Sequence, residues 1–458
     1  MRGELSSSQQ PTSSAISDGS ALDSVDGNRG LVLLMQLEHI LENDALIDEL
    51  GFVHPTQLAA LNAQSGVALS SDAIQSAAEI MSEGTVEGSI FYDGTVFWNR
   101  DHKLAISTTE LPQLYVAGQK MFFDSIKKYK SSQNHDQSLQ NDVLRHSKSL
   151  LLLCCDSGTA WNSRKLVISG NPSLSLLMSE LQLSTLILSY SPKSENSWSH
   201  RRWVIKHIER VSGDPSDILG EESELVKRIA EKTKMNYRAW NHLCWLVSYM
   251  SRSQMLDELK FSRKWAELNV ADNCCFQLRR RLMLKISEFK PENQCGDEGL
   301  LAKSEIYKIW EDEFRWNCLL IQRYIGREAL WIHRRFLFQF WLNYLSTDPC
   351  LNPSDSRSCP AVLDVADFLQ KELQLLLVCL SSPGDEFEDG RVQSEHARSY
   401  FFWILKHIPF GPLSGLWEKL RGVEELKALL RESSSPVKIH LWRSFLGRPI
   451  WDDLFGPT

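Results

Sequence analysis

The sequence lacks the short signatures that mark self-contained enzymes: its 458 residues hold no glycine-rich phosphate loop, no nucleophile elbow and no paired HExxH. An active site carried wholly by this chain is therefore not expected. Its ten cysteines include the adjacent pairs Cys154-Cys155 and Cys274-Cys275 but no CxxC spacing, which argues against a disulfide framework and fits a reducing compartment. No apolar stretch is long enough to span a bilayer, and no apolar leader precedes Leu31, so a cytoplasmic protein without a membrane span is expected. The ending Phe455-Gly456-Pro457-Thr458 has no lipid-accepting cysteine box. Positive charge is also short: 50 Lys and Arg against 58 Asp and Glu leave a formal charge of -8, so nucleic acid is not an expected partner.

What is present is hydrophobic and periodic. Residues 1–28 are Ser-, Gln-, Gly- and Asp-rich and are expected to form a disordered tail, because there is little apolar surface to offset chain entropy. Residues 29–110 read as an N-terminal cap: a helix from Leu31 to Leu50 stopped by Gly51, then an irregular part in which Asp93-Gly94 signals a hairpin. Helical spacing resumes over Leu111–Tyr129 and Leu139–Cys155.

Beyond these helices one skeleton recurs. It reads TAWNSRKLVI at Trp161, NSWSHRRWVI at Trp198, YRAWNHLCWLV at Trp240, CCFQLRRRLML at Phe276 and ALWIHRRFLF at Trp331, with a degenerate copy over Glu395–Ile408. The spacing falls in the range of helical-hairpin arrays, and each copy follows an amphipathic segment: Leu174–Leu188, Glu221–Lys232, Met255–Leu268 and Ser304–Arg323. The fold class is therefore all-α, a right-handed solenoid of helical hairpins over residues 111–432, with a capping helix and tail over 433–458. Ser346–Pro360 and Ser381–Gly390 read as exposed loops, Leu416–Leu430 as a helix, and Ser435-Pro436 as the start of another.

Within the second helix of a copy, Trp198, Arg201, Arg202 and Ile205 share one face. A guanidinium held beside a buried indole needs acceptors, so Arg164, Arg201, Arg279 and Arg334 are expected to staple neighbouring hairpins through carboxylates or terminal helix carbonyls. Trp161, Trp198, Trp240, Phe276 and Trp331 are expected in the core. The basic triplets at 200–202, 279–281 and 333–335 could grip phosphate, but the repeat itself predicts one arginine inward and one solvated. The helix-borne histidines His200, His207, His242, His333, His396 and His407 show no spacing diagnostic of zinc.

PKSENSWSHRRWVI and KMNYRAWNHLCWLV resemble the repeats of protein prenyltransferase alpha subunits, which read approximately Pro-Lys-Asn-Tyr-x-x-Trp-x-x-Arg-Arg. The resemblance spans about Leu139 to Phe340, with weaker extension to Ile408. It implies a crescent of paired helices that wraps a beta subunit, which carries the catalytic zinc and the lipid pocket; no cofactor is implied on this chain. It further implies a small GTPase or similar protein as substrate and an isoprenoid diphosphate, geranylgeranyl in the reading adopted, at the subunit interface. A loop lysine of the family motif reaches that diphosphate. The positions that match are Lys193 and, one residue early, Lys234, with Tyr237 as the motif tyrosine and Met235 where the motif lysine belongs. Leu243 replaces the motif arginine and Phe276 the motif tryptophan. The rival expectation is a noncatalytic helical scaffold that binds or escorts a partner protein.

Overall fold

The computed structural model describes residues 19–64, 96–132, 136–214, 216–288, 297–345, 365–380, 388–407, 436–447 and 451–452. The chain divides into two compact units, Met1–His242 and Leu243–Thr458.

The first unit opens with α1 (Gly19–Asn43), which begins ahead of the boundary at residue 28 expected for a polar tail. The helix ends earlier than its hydrophobic spacing suggests, because Asp44 turns the chain: its Oδ1 accepts from the backbone N–H of Leu46 and lies 2.9 Å from His102 Nδ1. Leu50 and Gly51, expected as helix end and stop, instead lie in β1 (Glu49–Val53). After α2 (Pro55–Gln64) come β2 (Phe97–Arg100) and β3 (Lys103–Ser107), antiparallel to each other, with β1 parallel to β3. The hairpin turn sits at Asp101-His102, both with left-handed φ of 50° and 60°, the conformation that matches strand twist in a two-residue turn. Asp93-Gly94, where the sequence signals a hairpin, lies outside the described residues.

The pairing of these strands gives the cap a three-stranded sheet in the order β1-β3-β2. That sheet closes over the helices: Leu34, Leu37, Leu104, Ile106, Leu114, Phe122, Val143 and Leu151 are buried in one cluster. Gly30 lets α1 approach α3 (Leu111–Ser131), since a Cβ there would meet the Gln113 carbonyl oxygen at 3.0 Å.

Helical hairpins then take over. In the first unit α4 (Gln137–Leu153) packs on α5 (Gly158–Gly170) and α6 (Leu174–Tyr190) on α7 (Glu195–Ser212). α8 (Ser216–Lys232) and α9 (Tyr237–Leu246) follow, the first residues of α9 closing the unit. In the second, α10 (Arg252–Leu268) pairs with α11 (Asn273–Glu288), α12 (Asp297–Arg323) with α13 (Glu328–Phe340), and α14 (Val365–Leu380) with α15 (Glu388–His407). The second helices α11, α13 and α15 also lie side by side, and α16 (Pro436–Leu446) rests on α15. This is the all-α, hairpin-repeat architecture expected from the sequence. Glu388–Gly390, expected in a loop, form the first turn of α15, where Glu388 and Asp389 favour the helix N-terminus. The regions 346–360 and 416–430 lie outside the described residues.

Candidate functional site

Four of the repeats are each built around one buried arginine. Arg164 on α5 donates from Nε to Glu180 Oε2 at 2.9 Å and from Nη1 to Ser147 Oγ at 2.8 Å and the Leu144 carbonyl at 2.5 Å. The same constellation returns for Arg201 with Glu222, Ser184 and Leu181, for Arg279 with Glu313, Ser262 and Leu259, and for Arg334 with Glu372 and the Phe314 carbonyl. In every case the Nη2 group completes a two-pronged grip on the glutamate. The carbonyls are mid-helix, not terminal as expected, because a helical C=O keeps a second lone pair that a buried guanidinium can use.

Histidine closes the motif from the other side. His200, His242 and His333 each place Nε2 within 2.9 Å of the glutamate that the preceding arginine grips, Glu180, Glu222 and Glu313. At the last repeat Tyr400 donates its hydroxyl to Glu372 at 2.5 Å in the histidine's stead. The rings pack at tilted angles in the same order: Trp161 on His200, Trp198 on His242, Phe276 on His333 and Trp331 on Tyr400, with centroids 4.5, 4.9, 5.2 and 5.6 Å apart. One repeat's aromatic therefore packs against the next repeat's glutamate-bonded ring.

Charge follows from this wiring. Burial alone would raise the Glu180, Glu222 and Glu313 carboxyls, but the adjacent guanidinium charge and the histidine and arginine hydrogen bonds override it and hold each at about 2. Burial pushes His200, His242 and His333 below the usual imidazole range despite their carboxylate partners. Neutral imidazoles donating from Nε2 also suit His200 and His333, whose buried Nδ1 atoms have no partner among the described residues: a bare lone pair there costs less than a buried charged donor.

The third repeat departs from the rule. Leu243 stands where the arginine belongs, and the residue twenty after Glu258, the separation of each histidine from its glutamate, is Leu278. Glu258 thus receives neither guanidinium nor imidazole from those two positions. The chain's division into units falls at this departure, between His242 and Leu243.

The candidate site proper lies in the loops that precede the repeat tryptophans of the first unit. The carbonyl of Pro192 accepts from Trp198 Nε1 at 3.1 Å and from Asn236 Nδ2 at 2.9 Å, so one oxygen ties the loop before α7 to the loop before α9. Asn236 is buried, and its Oδ1 caps α9 through the Ala239 N–H. Glu195 reinforces the junction by accepting from Arg202 and Arg238 at 3.0 and 2.9 Å. Asp156 extends it to the loop before α5, accepting from Asn196 Nδ2 and Ser194 Oγ at 3.3 and 3.4 Å.

On these tied loops Lys193, Lys234, Met235 and Tyr237 all face solvent. Met235 has a left-handed φ of 54°, which a long side chain adopts at a cost. The structure therefore brings the loops of the two candidate lysines together and buries the repeat tryptophans and arginines away from them. Trp161, Trp198, Trp240, Phe276 and Trp331 are core, as are Arg164, Arg201, Arg279 and Arg334. The four glutamates were missed from sequence. The signal was available in the first helices, where Ser147, Ser184 and Ser262 each precede the paired arginine by seventeen residues.

No group of three or more His, Cys, Asp or Glu that could hold a metal occurs among the described residues. Nor, among them, is any helix long and apolar enough to cross a membrane. The described cysteines are free thiols, and burial pushes Cys244 up to about 11 and Cys274 up to about 12.

Residues 177–208 and 219–250 match the family model of the protein prenyltransferase alpha subunit repeat. These matches cover most of α6–α7 and most of α8–α9, the hairpins joined by the Pro192 carbonyl. Among curated proteins the chain is similar to protein prenyltransferase alpha subunit repeat-containing protein 1 of Homo sapiens, 30% identical over 242 residues, 43% of this chain and 59% of the relative. The protein of the same name from Danio rerio is 27% identical over 266 residues, 50% of this chain and 61% of the relative. The chain thus spans about three-fifths of the length of these relatives. It is more distantly similar to geranylgeranyl transferase type-2 subunit alpha of Rattus norvegicus, 23% identical over 206 residues, 43% of this chain and 34% of that one.

Proposed function

We propose that this chain is the alpha-type subunit of a heterodimeric, cytoplasmic protein prenyltransferase that moves a geranylgeranyl group from its diphosphate to a cysteine thiolate of a small GTPase or similar protein. The observation that carries the reading is the pair of matched repeats whose leading loops, bearing Lys193 and Lys234, are locked together at Pro192. In this reading a beta subunit supplies the zinc that holds and activates the acceptor thiolate, and it supplies the lipid pocket. This chain contributes the docking surface and a positive charge near the departing diphosphate, where negative charge builds as the carbon–oxygen bond breaks. Lys193 and Lys234 are the candidates for that charge, with Tyr237 beside them as a hydroxyl donor.

The test is purification with candidate beta subunits followed by a lipid-transfer assay on protein acceptors. Lys193→Ala and Lys234→Ala are compared separately; loss of an oxyanion-type contact lowers turnover by roughly 10²–10³-fold for the lysine that acts. Equal turnover in both variants removes the electrostatic role and leaves docking alone. A chain that binds no beta subunit sinks the assignment. A stable pair that transfers no lipid to any acceptor supports the second reading, a scaffold or escort, which the complete use of the four repeat arginines in internal stapling favours.

A further inference from the structure

The second unit carries a feature that the proposed transfer does not use. A groove of about 370 Å³ is lined by Gln277, Arg280, Arg281 and Leu284 of α11, by Ile332, Arg335, Phe336 and Gln339 of α13, and by Trp403 of α15. The spacing explains the lining: Gln277, Arg280, Arg281 and Leu284 lie at i, i+3, i+4 and i+7 on one helix, and Ile332, Arg335, Phe336 and Gln339 repeat that pattern on the next. These are the arginines that follow the buried one in each copy, on faces distinct from those of the buried Arg279 and Arg334.

The two sets of arginines are treated oppositely. Arg279 and Arg334 each hold a glutamate in a two-pronged grip. The groove arginines have no carboxylate within ion-pairing distance among the described residues. Arg280 donates only within its own helix, from Nε to the Phe276 carbonyl at 3.2 Å and from Nη2 to Asn273 Oδ1 at 2.7 Å. Arg281 and Arg335 have no hydrogen-bond or ion-pair partner there, and Arg335 Nε is buried without an acceptor. Burial pulls the Arg280 guanidinium down to about 10, the mark of a charge partly stripped of water. An unpaired guanidinium nitrogen in a groove is a site short of an anion.

The walls choose among anions. A bare phosphate would answer the arginines but leave Leu284, Ile332, Phe336 and Trp403 uncovered, and a nucleic acid would meet a chain of net charge -8. A peptide segment whose carboxylates alternate with apolar side chains satisfies both halves: planar carboxylates fit the guanidinium forks, and the apolar side chains fill the wall between α11, α13 and α15. We infer that this groove is a docking site for an acidic segment of a partner protein, bearing Glu or Asp next to a large apolar residue. The inference does not depend on the prenyl-transfer reading and can stand or fall apart from it.

The experiment measures anisotropy of a fluorescein-labelled peptide, Glu-Glu-Phe-Glu-Leu-Glu, titrated with the full chain. Its Gln-Gln-Phe-Gln-Leu-Gln counterpart and inorganic pyrophosphate serve as probes of charge and of small-anion binding. The acidic peptide binds, the neutral one does not, added salt weakens binding, and Arg281→Glu weakens it by roughly tenfold or more. Arg281 is exposed, so this variant keeps its fold, checked by an unchanged melting temperature; Arg335→Gln gives a second, independent loss. Equal binding of the neutral peptide, or undiminished binding by both variants, overturns the inference. So does arginine-dependent binding of pyrophosphate without binding of the peptide, which would mark a small-anion site instead.

Discussion

At the scale of the residue, arginine's position within a repeat decides what it does. Arg279 and Arg281 are two places apart, yet the first is buried in a grip on Glu313 and the second is exposed. Replacing Arg279 by Ala leaves Glu313 as an uncompensated buried charge and costs about 3–5 kcal/mol. Arg281→Ala changes stability by no more than about 0.5 kcal/mol. Denaturant titrations of the two variants check the contrast, and similar losses would refute the staple. The sequence showed which arginines turn inward, because Trp-x-x-Arg places both side chains on one helical face. It did not show Glu180, Glu222, Glu313 or Glu372 as partners, since each sits on another helix and is one acidic residue among many.

At the scale of the element, a helix end and a helix interior place opposite demands on glycine. Gly213 ends α7 at a left-handed φ of 81° with nothing within 4 Å of an added Cβ, so Gly213→Ala meets backbone strain alone and costs about 1 kcal/mol. Gly220 lies inside α8 with the same free space, and Gly220→Ala stabilises by about 0.5–1 kcal/mol through helix propensity. Thermal melts of the pair should move in opposite directions; shifts of the same sign would contradict this account. The hairpins were legible because hydrophobic spacing is local. The cap was less so: the run through Leu50 keeps helical spacing, but Glu49–Val53 pairs with Lys103–Ser107 far along the chain, and that pairing overrides local preference.

At the scale of the whole molecule, the repeated Arg-Glu-His wiring makes stability depend on pH in one direction. Glu180, Glu222 and Glu313 are held at about 2 against an ordinary 4.5, so their stabilising effect is full above pH 4.5 and is lost as pH falls toward 2. His200, His242 and His333 are depressed below an ordinary 6.5, so the unfolded chain takes up their protons first, and stability declines as pH drops below 6.5. Melting temperature should therefore be highest at or above pH 7 and fall steadily from about pH 6.5 downward. Melts recorded between pH 8 and pH 4 check it; a flat profile through pH 6.5 would mean that folding leaves the histidines unshifted, and a rise on acidification that they are charged in the fold.

The sequence by itself determined the hairpin array, the buried aromatic of each copy and the four buried arginines, because these are patterns of neighbouring residues; the two loop lysines worth testing came from the family resemblance. Only the tertiary structure decided which glutamate each arginine grips, that the loops of Lys193 and Lys234 meet at the Pro192 carbonyl, and that Arg280, Arg281 and Arg335 line one groove with no carboxylate at ion-pairing distance among the described residues. Those facts depend on which helices lie side by side, and pairing between distant segments is written in packing and charge compensation, not in local spacing.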